Sequence, residues 1–205
     1  IINNHFKCCG DGNLNLNDDG DEETRRYIAS TLLKEYIDEN FYDKNVIMLG
    51  DLNDELTDNS NDNVFQIFFN DPENYLFADY EIAQGSSNGW SFPNWPSHLD
   101  HILITDELFD FVVSTDVIRI DDYMDGGFST FDQYISDHRP VAIKIIQDVV
   151  VLGDINNDQI VNVLDVIILV NTILENVYLE SADFNLDGII NVLDVVSLVN
   201  LILGS

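Results

Sequence analysis

The sequence predicts a mixed α/β domain followed by a small all-α domain. As far as residue 147, short β-branched apolar runs alternate with helical patterns, which is typical of α/β and α+β proteins. Beyond that point the chain repeats itself at an offset of 29 residues, and each copy joins a loop rich in Asp and Asn to an apolar helix. We therefore expect two domains, residues 1–147 and residues 148–205.

The first domain is expected to open with a strand, a polar loop and a long helix. The strand pattern covers Ile1–Phe6, and the loop, rich in Gly, Asn and Asp, covers residues 10–21. Glu22 and Glu23 favour a helix N-terminus at this point because they complement the helix dipole. The residues that form the expected apolar stripe of this helix are Tyr27, Ile28, Leu32, Leu33, Tyr36 and Ile37.

Further along, apolar runs predict four more strands and one more helix. Each predicted strand is rich in Val, Ile or Leu, and two of them adjoin a polar motif. The strands are expected at Asn45–Leu49, Ile102–Ile104, Val112–Ile120 and Val141–Ile146, and the helix at Asn63–Asn70.

The chain is strongly acidic, with 38 Asp and Glu against 8 Lys and Arg and a formal charge of −30. Such a field repels nucleic acid unless salt or divalent cations screen it. Residues 148–205 contain nine acids and no Lys or Arg. Two explanations stay open: an adaptation to a salty medium, and clusters of acids that bind cations.

Cysteines and targeting segments restrict the interpretation little. Cys8 and Cys9 are adjacent, and a neighbouring pair rarely forms a disulfide because its geometry is strained. We expect the two cysteines to be packing residues rather than metal ligands. No apolar run approaches the roughly 18 residues of a membrane span, and no signal peptide is visible. Because the chain opens directly on a strand pattern, we expect sequence to be missing upstream.

Four short polar motifs stand at the ends of predicted strands or in strand-like runs. They are Asn4-His5, Gly50-Asp51-Leu52-Asn53, Leu99-Asp100-His101 and Ser136-Asp137-His138. Strand ends bring side chains to one edge of a sheet, where sites on α/β folds form. Three carboxylates, one amide and two imidazoles at one edge suit metal-assisted cleavage of a phosphoester.

Elementary chemistry suggests a base and its partner. His138 is the candidate general base because imidazole accepts a proton near neutral pH. Asp100 would hold that imidazole and stabilise its charged form. By contrast, we expect His98 and His101, which flank Leu99-Asp100, to be structural.

The other polar groups are candidates for handling the phosphate and a metal. Asp51 and Asn53 would position water and phosphate or bind the metal, and His5 would donate a hydrogen bond to a phosphate oxygen as charge builds there. Asp137 is the candidate ligand of Mg²⁺, since hard cations choose carboxylate oxygens, and Mn²⁺ is the alternative ion.

In this order the motifs resemble the endonuclease/exonuclease/phosphatase family, which includes pancreatic-type deoxyribonucleases, abasic-site endonucleases, neutral sphingomyelinases and inositol polyphosphate phosphatases. The resemblance covers Ile1 to about Ile146. It implies a deoxyribonuclease-like α/β (α+β) sandwich that hydrolyses a phosphodiester substrate, with nucleic acid as one candidate. The family's first half supplies an Asn and a metal-binding Glu that cannot be assigned here. The resemblance therefore implies an N-terminally incomplete domain, which we expect to be weakly active or inactive alone.

Two other functions stay open at this point. A phospholipid or a small phosphate ester would suit the acidic chain better than nucleic acid does. Alternatively, the chain could be a non-catalytic, calcium-dependent scaffolding fragment.

The repeat has the oxygen pattern of two calcium loops. Calcium takes about six to eight oxygen ligands, and each loop offers oxygens at its first, third, fifth, seventh, ninth and twelfth positions. The first loop offers Asp154, Asn156, Asp158, the Ile160 carbonyl, Asn162 and Asp165, and the second offers Asp183, Asn185, Asp187, the Ile189 carbonyl, Asn191 and Asp194. At the sixth position Gly188 permits a sharp turn, whereas the first loop has Gln159, so we expect the first site to be weaker.

Asp at the twelfth position, one helix per loop and tandem duplication resemble a type I dockerin over Leu152–Leu203. The resemblance implies two Ca²⁺ ions, a small all-α fold and docking onto a cohesin, as in cellulosomal proteins that degrade polysaccharides. It also implies a secreted or cell-surface bacterial protein. Relatives often carry Ser or Thr at the tenth and eleventh positions, where this chain has Val163-Leu164 and Val192-Leu193. Docking onto its own catalytic domain is therefore an alternative to a cohesin-like partner.

Overall fold

The computed structural model describes residues 1–146, 152–158, 160–175 and 177–204. The chain divides into two compact units, residues 1–146 and 147–205. The boundary expected at residues 147 and 148, and Gln159 of the first loop, lie outside the described residues. In the described part of the chain, no helix combines the length and the apolar character that crossing a membrane requires.

The first unit is a mixed α/β structure, as predicted, with two sheets among its residues. The larger sheet has the strand order β1-β2-β4-β3, and the smaller sheet pairs β5 with β6. The strands are β1 (Ile2–His5), β2 (Ile47–Asp51), β3 (Tyr75–Phe77), β4 (Asp100–Thr105), β5 (Val112–Val117) and β6 (Val141–Ile145).

Helices connect these strands and form most of the second unit. In the first unit they are α1 (Glu22–Asn40), α2 (Gln66–Phe69), α3 (Tyr80–Ala83) and α4 (Phe128–Tyr134), and in the second α5 (Val163–Glu175) and α6 (Val192–Leu203). The Asp21 carboxylate caps α1 by accepting a 2.8 Å hydrogen bond from the Thr24 N–H. Glu22 and Glu23 follow in its first turn, as expected.

The strand register places the polar motifs at one edge of the larger sheet. β1 runs parallel to β2, with His5 opposite Asp51, and β2 runs antiparallel to β4, with Asp51 opposite Asp100. Gly50 allows β1 to approach β2, because a Cβ atom there would lie 1.8 Å from the Asn4 carbonyl oxygen. Three of the four motifs therefore meet through backbone pairing alone.

An aromatic core lies against the larger sheet. Phe65, Phe68 and Phe77 are buried together, and their rings contact one another edge-on, with centroids 5.3 Å and 6.0 Å apart. Met48 of β2 and Leu103 of β4 complete this core from the sheet side. The core holds β2, β3 and β4 in one layer and so fixes the sheet edge that carries the motifs.

Two helices differ from the sequence expectation. In α1, Ile37 is buried, but Leu32 and Tyr36 of the expected apolar stripe are more than half exposed. The helix instead buries Arg26, which finds hydrogen-bond partners in the interior. The helix expected at Asn63–Asn70 is only Gln66–Phe69, because the Asn63 side chain bonds the Phe65 N–H and forms a turn.

The second unit is all-α apart from its loops, as expected. The repeat predicts helices at Val166–Leu174 and Val195–Leu203, and α5 and α6 each begin three residues earlier, at Val163 and Val192. Leu169 and Leu198 are fully buried between them. This core is small, and the loops that precede α5 and α6 are partly exposed to solvent.

Candidate functional site

An acid–imidazole cluster lies at the edge of the larger sheet. The Nδ1 atom of His138 is 2.6 Å from Oδ2 of Asp100, and its Nε2 atom is 3.9 Å from Oδ2 of Asp51. The same Asp51 oxygen lies 3.4 Å from Nε2 of His5. Asp51, Asp100 and His138 each present a ligand atom within 4.8 Å of the others. The structure thus brings together four of the residues that the sequence singles out.

His138 reaches the cluster from the segment between α4 and β6. Its ring stacks on Phe92, with centroids 4.7 Å apart and an interplanar angle of 25°. The next residue, Arg139, is buried in an ion pair with Asp121, and its N–H donates to the Ser91 carbonyl over 2.7 Å. These contacts fix both the ring and the backbone that carries it.

The charges in the cluster influence one another. The hydrogen bond to Asp100 raises the pKa of His138 above its ordinary value, against the opposing effect of burial. Burial favours a neutral Asp100, but its hydrogen bonds from His138 and Ser91 hold its pKa below the usual range. Burial and the negative charge of Asp100 raise the pKa of Asp51. The cluster therefore favours a positive charge on His138 beside Asp100 and disfavours a negative charge on Asp51.

Asn53 lies beside the cluster in a specific turn. It has a left-handed backbone (φ 54°), and its N–H donates to Oδ1 of Asp51 over 3.0 Å. Its Nδ2 atom donates to the Phe6 carbonyl over 3.2 Å. Asn53 therefore orients Asp51 and ties it to the end of β1, and a further contact in the site would come from its Oδ1 atom.

Asp137 occupies a different position from the other candidates. Its side chain is exposed, and among the described residues it does not belong to the group whose ligand atoms converge. Its negative charge does act on His138. Its assignment as a Mg²⁺ ligand stays a prediction that these contacts do not support.

A hard divalent cation at the cluster would be held mainly at one carboxylate. Asp100 is committed to His138, which leaves Asp51 as the carboxylate that gains most from a nearby positive charge, because its pKa is raised. Oxygen donors are the ligands that Mg²⁺ and Mn²⁺ prefer. Asp51, assisted by the Oδ1 atom of Asn53, would hold such an ion.

A second cluster lies directly behind this site and is buried. Oδ2 of Asp79 is 3.0 Å from Nε2 of His98 and 2.6 Å from Nδ1 of His101, and Nε2 of His101 is 2.8 Å from the Asp54 carbonyl. Each of these nitrogens has a protein partner, and ligand atoms of Asp79, His98 and His101 also lie within 4.8 Å of one another. That both histidines are structural therefore stays a prediction. Asp79 was not singled out, since nothing in the sequence links it to His101.

Arg26 differs from the sequence expectation, which placed it with Arg25 on a solvated helix face or in contact with phosphate. It is buried, and it donates through Nε to Asp54 over 2.8 Å and through Nη1 to the carbonyls of Lys7 and Cys9 over 2.8 Å and 2.7 Å. This guanidinium therefore joins the segment that follows His5 to the segment that follows Asn53. Arg25 and Arg26 are adjacent and alike in sequence, so the sequence does not show that Arg26 is the one that is buried and joins these two segments.

The two loops of the second unit share one conformation. In each, the N–H at the fifth position donates to the first carboxylate, from Asp158 to Asp154 over 3.2 Å and from Asp187 to Asp183 over 3.1 Å. The fourth positions of both loops also have left-handed backbones, with φ of 58° and 59°. The repeat in sequence is thus a repeat in structure.

Each loop buries two carboxylates. Asp154 and Asp165 are buried in the first loop, and Asp183 and Asp194 are buried in the second. Burial opposes ionisation of Asp165, yet N–H groups of the loop donate to it and hold its pKa below the usual range. Since residues 148–205 contain no Lys or Arg to offset this charge, the donor set fits Ca²⁺.

The ninth positions act as helix caps. Oδ1 of Asn162 accepts from the Leu164 N–H and Oδ1 of Asn191 from the Leu193 N–H, each over 2.8 Å. Asn191 and Asp194 together form a capping box. Because both asparagines also donate to the carbonyls of Ile160 and Ile189, their candidacy as direct calcium ligands stays a prediction.

Comparison with known proteins agrees with the interpretation of the repeat. Residues 152–203 match the family of the dockerin type I domain, which confirms a calcium-binding docking module at this end of the chain. A comparison with curated proteins finds no match to the chain.

Proposed function

We propose that residues 1–146 carry a metal-assisted phosphodiester hydrolase site of the endonuclease/exonuclease/phosphatase type. The observation that supports this most is the 2.6 Å contact between His138 and Asp100, at an edge shared with Asp51 and His5. Attack of water on a phosphodiester requires a base that takes the proton of the water and groups that stabilise the charge on the phosphate. The imidazole held by Asp100 suits the first role, and the second carboxylate, through a bound cation, and the exposed imidazole suit the second. Residues 152–203 would attach this site to a partner through calcium-dependent docking.

In the proposed mechanism, His138 takes the proton of the attacking water. When neutral, its Nδ1–H donates to Asp100, so the lone pair stands on Nε2, on the side of Asp51. The water oxygen forms a bond to phosphorus, its proton passes to Nε2, and the P–O bond to the leaving group breaks. The imidazolium that results is stabilised by the negative charge of Asp100.

The remaining residues orient the substrate and stabilise charge. Asp51, whose position Asn53 fixes, would hold the divalent ion, which supplies Lewis acidity and neutralises phosphate charge when bound. His5 lies next to Asp51, and its side chain is 73% exposed, so its imidazole is free to reach a phosphate oxygen. A hydrogen bond from His5 would stabilise the charge that develops there.

A small phosphate ester or a phospholipid is the second candidate substrate, and the basic residues favour it over duplex DNA. Binding duplex DNA requires several Lys and Arg free to contact phosphates. Here Arg26 and Arg139 are buried in ion pairs, and Arg119 and Lys34 pair with neighbouring acids. The other four of the eight basic residues are left to contact the phosphates of a polyanion, and the chain has a formal charge of −30. A substrate with few negative charges is therefore favoured over duplex DNA.

Hydrolysis assays distinguish these functions. Duplex DNA, RNA, sphingomyelin and bis(p-nitrophenyl) phosphate are offered with Mg²⁺, with Mn²⁺ and with EDTA. Because the resemblance implies a weakly active domain, we expect slow hydrolysis of the small phosphodiester, and we expect EDTA to stop it. In parallel, Mg²⁺ is titrated into the protein and the ring protons of His138 are followed by NMR. Their chemical shifts report Mg²⁺ binding near His138 even when turnover is very low. Absence of both signals would favour the non-catalytic scaffolding function.

The docking partner is proposed to be a cohesin-like protein outside the cell or at its surface. The tenth and eleventh positions of the repeat are exposed and apolar in both copies, at Val163-Leu164 and Val192-Leu193. An apolar recognition pair suits a partner with a complementary apolar patch. We expect the chain to bind an immobilised cohesin in Ca²⁺ and to release it in EDTA. The double variant Leu164→Asp, Leu193→Asp should lose this binding, and unchanged binding would contradict a role of these leucines. A wild type that does not bind cohesin would favour docking within the chain.

A further inference from the structure

The adjacent cysteines after β1 lie in a geometry that suits reversible sulfur chemistry. The Sγ atoms of Cys8 and Cys9 are 2.8 Å apart, and both residues are exposed free thiols. The expectation that they pack in the interior is therefore wrong. A disulfide bond measures about 2.05 Å, so the two sulfurs lie within about 1 Å of bonding distance.

The backbone of the pair is held in an uncommon conformation. Cys9 has a left-handed φ of 75°, which a residue with a Cβ atom rarely adopts. Arg26 holds the carbonyls of Lys7 and Cys9, which flank the two side chains, with hydrogen bonds of 2.8 Å and 2.7 Å. Gly10 then packs against the carboxylate of Glu23, where a Cβ atom would lie 2.1 Å from Oε1. Residues of helix α1 thus hold the backbone on both sides of the two thiols, and strain of this kind concentrates at functional sites.

We propose that Cys8 and Cys9 form a redox-active vicinal dithiol, which low-molecular-weight disulfides close and thiols reopen. The proposal goes beyond the phosphodiesterase and docking functions, and it stands or falls independently of both. It concerns a modification site on the segment between His5 and α1.

The reaction is an ordinary thiol–disulfide exchange in two steps. The Cys8 thiolate attacks one sulfur of a disulfide RSSR, which forms a mixed disulfide and releases one RS⁻. The Cys9 thiolate then attacks the Cys8 sulfur and releases the second RS⁻. The protein loses two protons and two electrons, and RSSR is reduced to two RSH.

The geometry explains why the reaction is reversible. The hydrogen bond to Cys8 raises the pKa of Cys9. The steps are written with Cys8 reacting first, and the reverse order gives the same product because both thiols are exposed. Adjacent Cα atoms are about 3.8 Å apart, closer than the roughly 4.4–6.8 Å of ordinary disulfides. A disulfide between neighbours is consequently strained, and strained disulfides are the ones that thiols reduce readily.

Intact mass spectrometry of the full chain tests the proposal. The reduced protein is incubated with oxidised glutathione, freed of excess reagent and weighed without reductant. We expect the wild type to lose the mass of two hydrogens, to carry no glutathione and to recover its mass in dithiothreitol. The matched variants Cys8→Ser and Cys9→Ser lack the resolving thiol, and each should keep one glutathione.

Three results would overturn the proposal. They are a wild type that keeps one or two glutathione groups, a wild type that forms disulfide-linked dimers on a non-reducing gel, and a wild type whose mass does not change. The last result would show that the two sulfurs, although close, cannot reach the geometry of a bond.

Discussion

The Nδ1 atom of His138 lies 2.6 Å from Oδ2 of Asp100, although 38 residues separate the two in sequence. Asp100 is the first residue of β4, and His138 comes just before β6, so both stand where strands begin. The contact determines which nitrogen of His138 carries the proton at neutral charge and leaves Nε2 to act as a base.

Removing the carboxylate should therefore lower the pKa of His138. In the wild type the hydrogen bond to Asp100 raises this pKa above the ordinary value of 6.5. In Asp100→Asn the imidazolium loses its partner, so the proton should leave at lower pH. NMR titration of the His138 ring protons without Mg²⁺ measures the change, with the exposed Asp125→Asn as control. An unchanged midpoint in Asp100→Asn would mean that the contact does not control the titration.

The same relationship sets the direction of the pH profile. Because only neutral His138 accepts a proton, turnover should rise as the pH passes upward through its pKa. Turnover that remains in Asp100→Asn should show this rise at lower pH than in the wild type. A shift toward higher pH would contradict the assignment of His138 as the base.

Arg26 should be a main determinant of stability in the first unit. Replacing it with Ala leaves the carboxylates of Asp54 and Glu23 buried without their cation, and breaking a buried pair in this way costs about 3–5 kcal/mol. Arg25→Ala is the matched control, since that neighbouring side chain is exposed and should change stability by less than about 0.5 kcal/mol. Urea unfolding of both variants provides the comparison, and similar losses in the two would disprove a special role for Arg26.

The strand ends were predictable because their signal is local. Val, Ile and Leu runs that stop at Asp51 or start near Asp100 mark β2 and β4 in the sequence alone, and the register then brings these residues together. His138 was assigned to the same site because the order of the motifs along the chain resembles that of a known family. The repeat was equally clear, because identical spacing of oxygens at 29 residues leaves few alternatives.

The parts that were not predicted depend on contacts distant in sequence. β3 is only three residues long, too short for an alternating pattern to stand out. Tyr27, Leu33 and Ile37 of the expected stripe in α1 do pack against the core, but Leu32 and Tyr36 are exposed. The burial of Arg26 depends on Asp54 and on two carbonyls that are distant in sequence. The pairing of Asp79 with His101 likewise exists only once β4 lies beside the segment after β3.

The two calcium loops should differ in affinity. Gly188 adopts a left-handed φ of 80° at the sixth position of the second loop, and a residue other than Gly would pay about 1–2 kcal/mol for that conformation. The first loop has Gln159 at the equivalent position. Asp183→Ala should therefore destabilise the second unit more than Asp154→Ala does, because it removes the tighter ion. Calorimetric titration with Ca²⁺ should show two sites, and Gly188→Ala should weaken one of them; a single site, or equal affinities, would contradict this interpretation.

Turnover of bis(p-nitrophenyl) phosphate by the wild type and by His138→Ala in Mg²⁺ tests the central claim most directly, with the exposed Tyr134→Ala as the folding control. If His138 is the general base, its removal should lower turnover at least about 10²-fold, while Tyr134→Ala should behave as the wild type does. Turnover that His138→Ala retains in full, and that EDTA still abolishes, would place the chemistry elsewhere in the chain and remove the cluster of Asp51, Asp100 and His138 as its site.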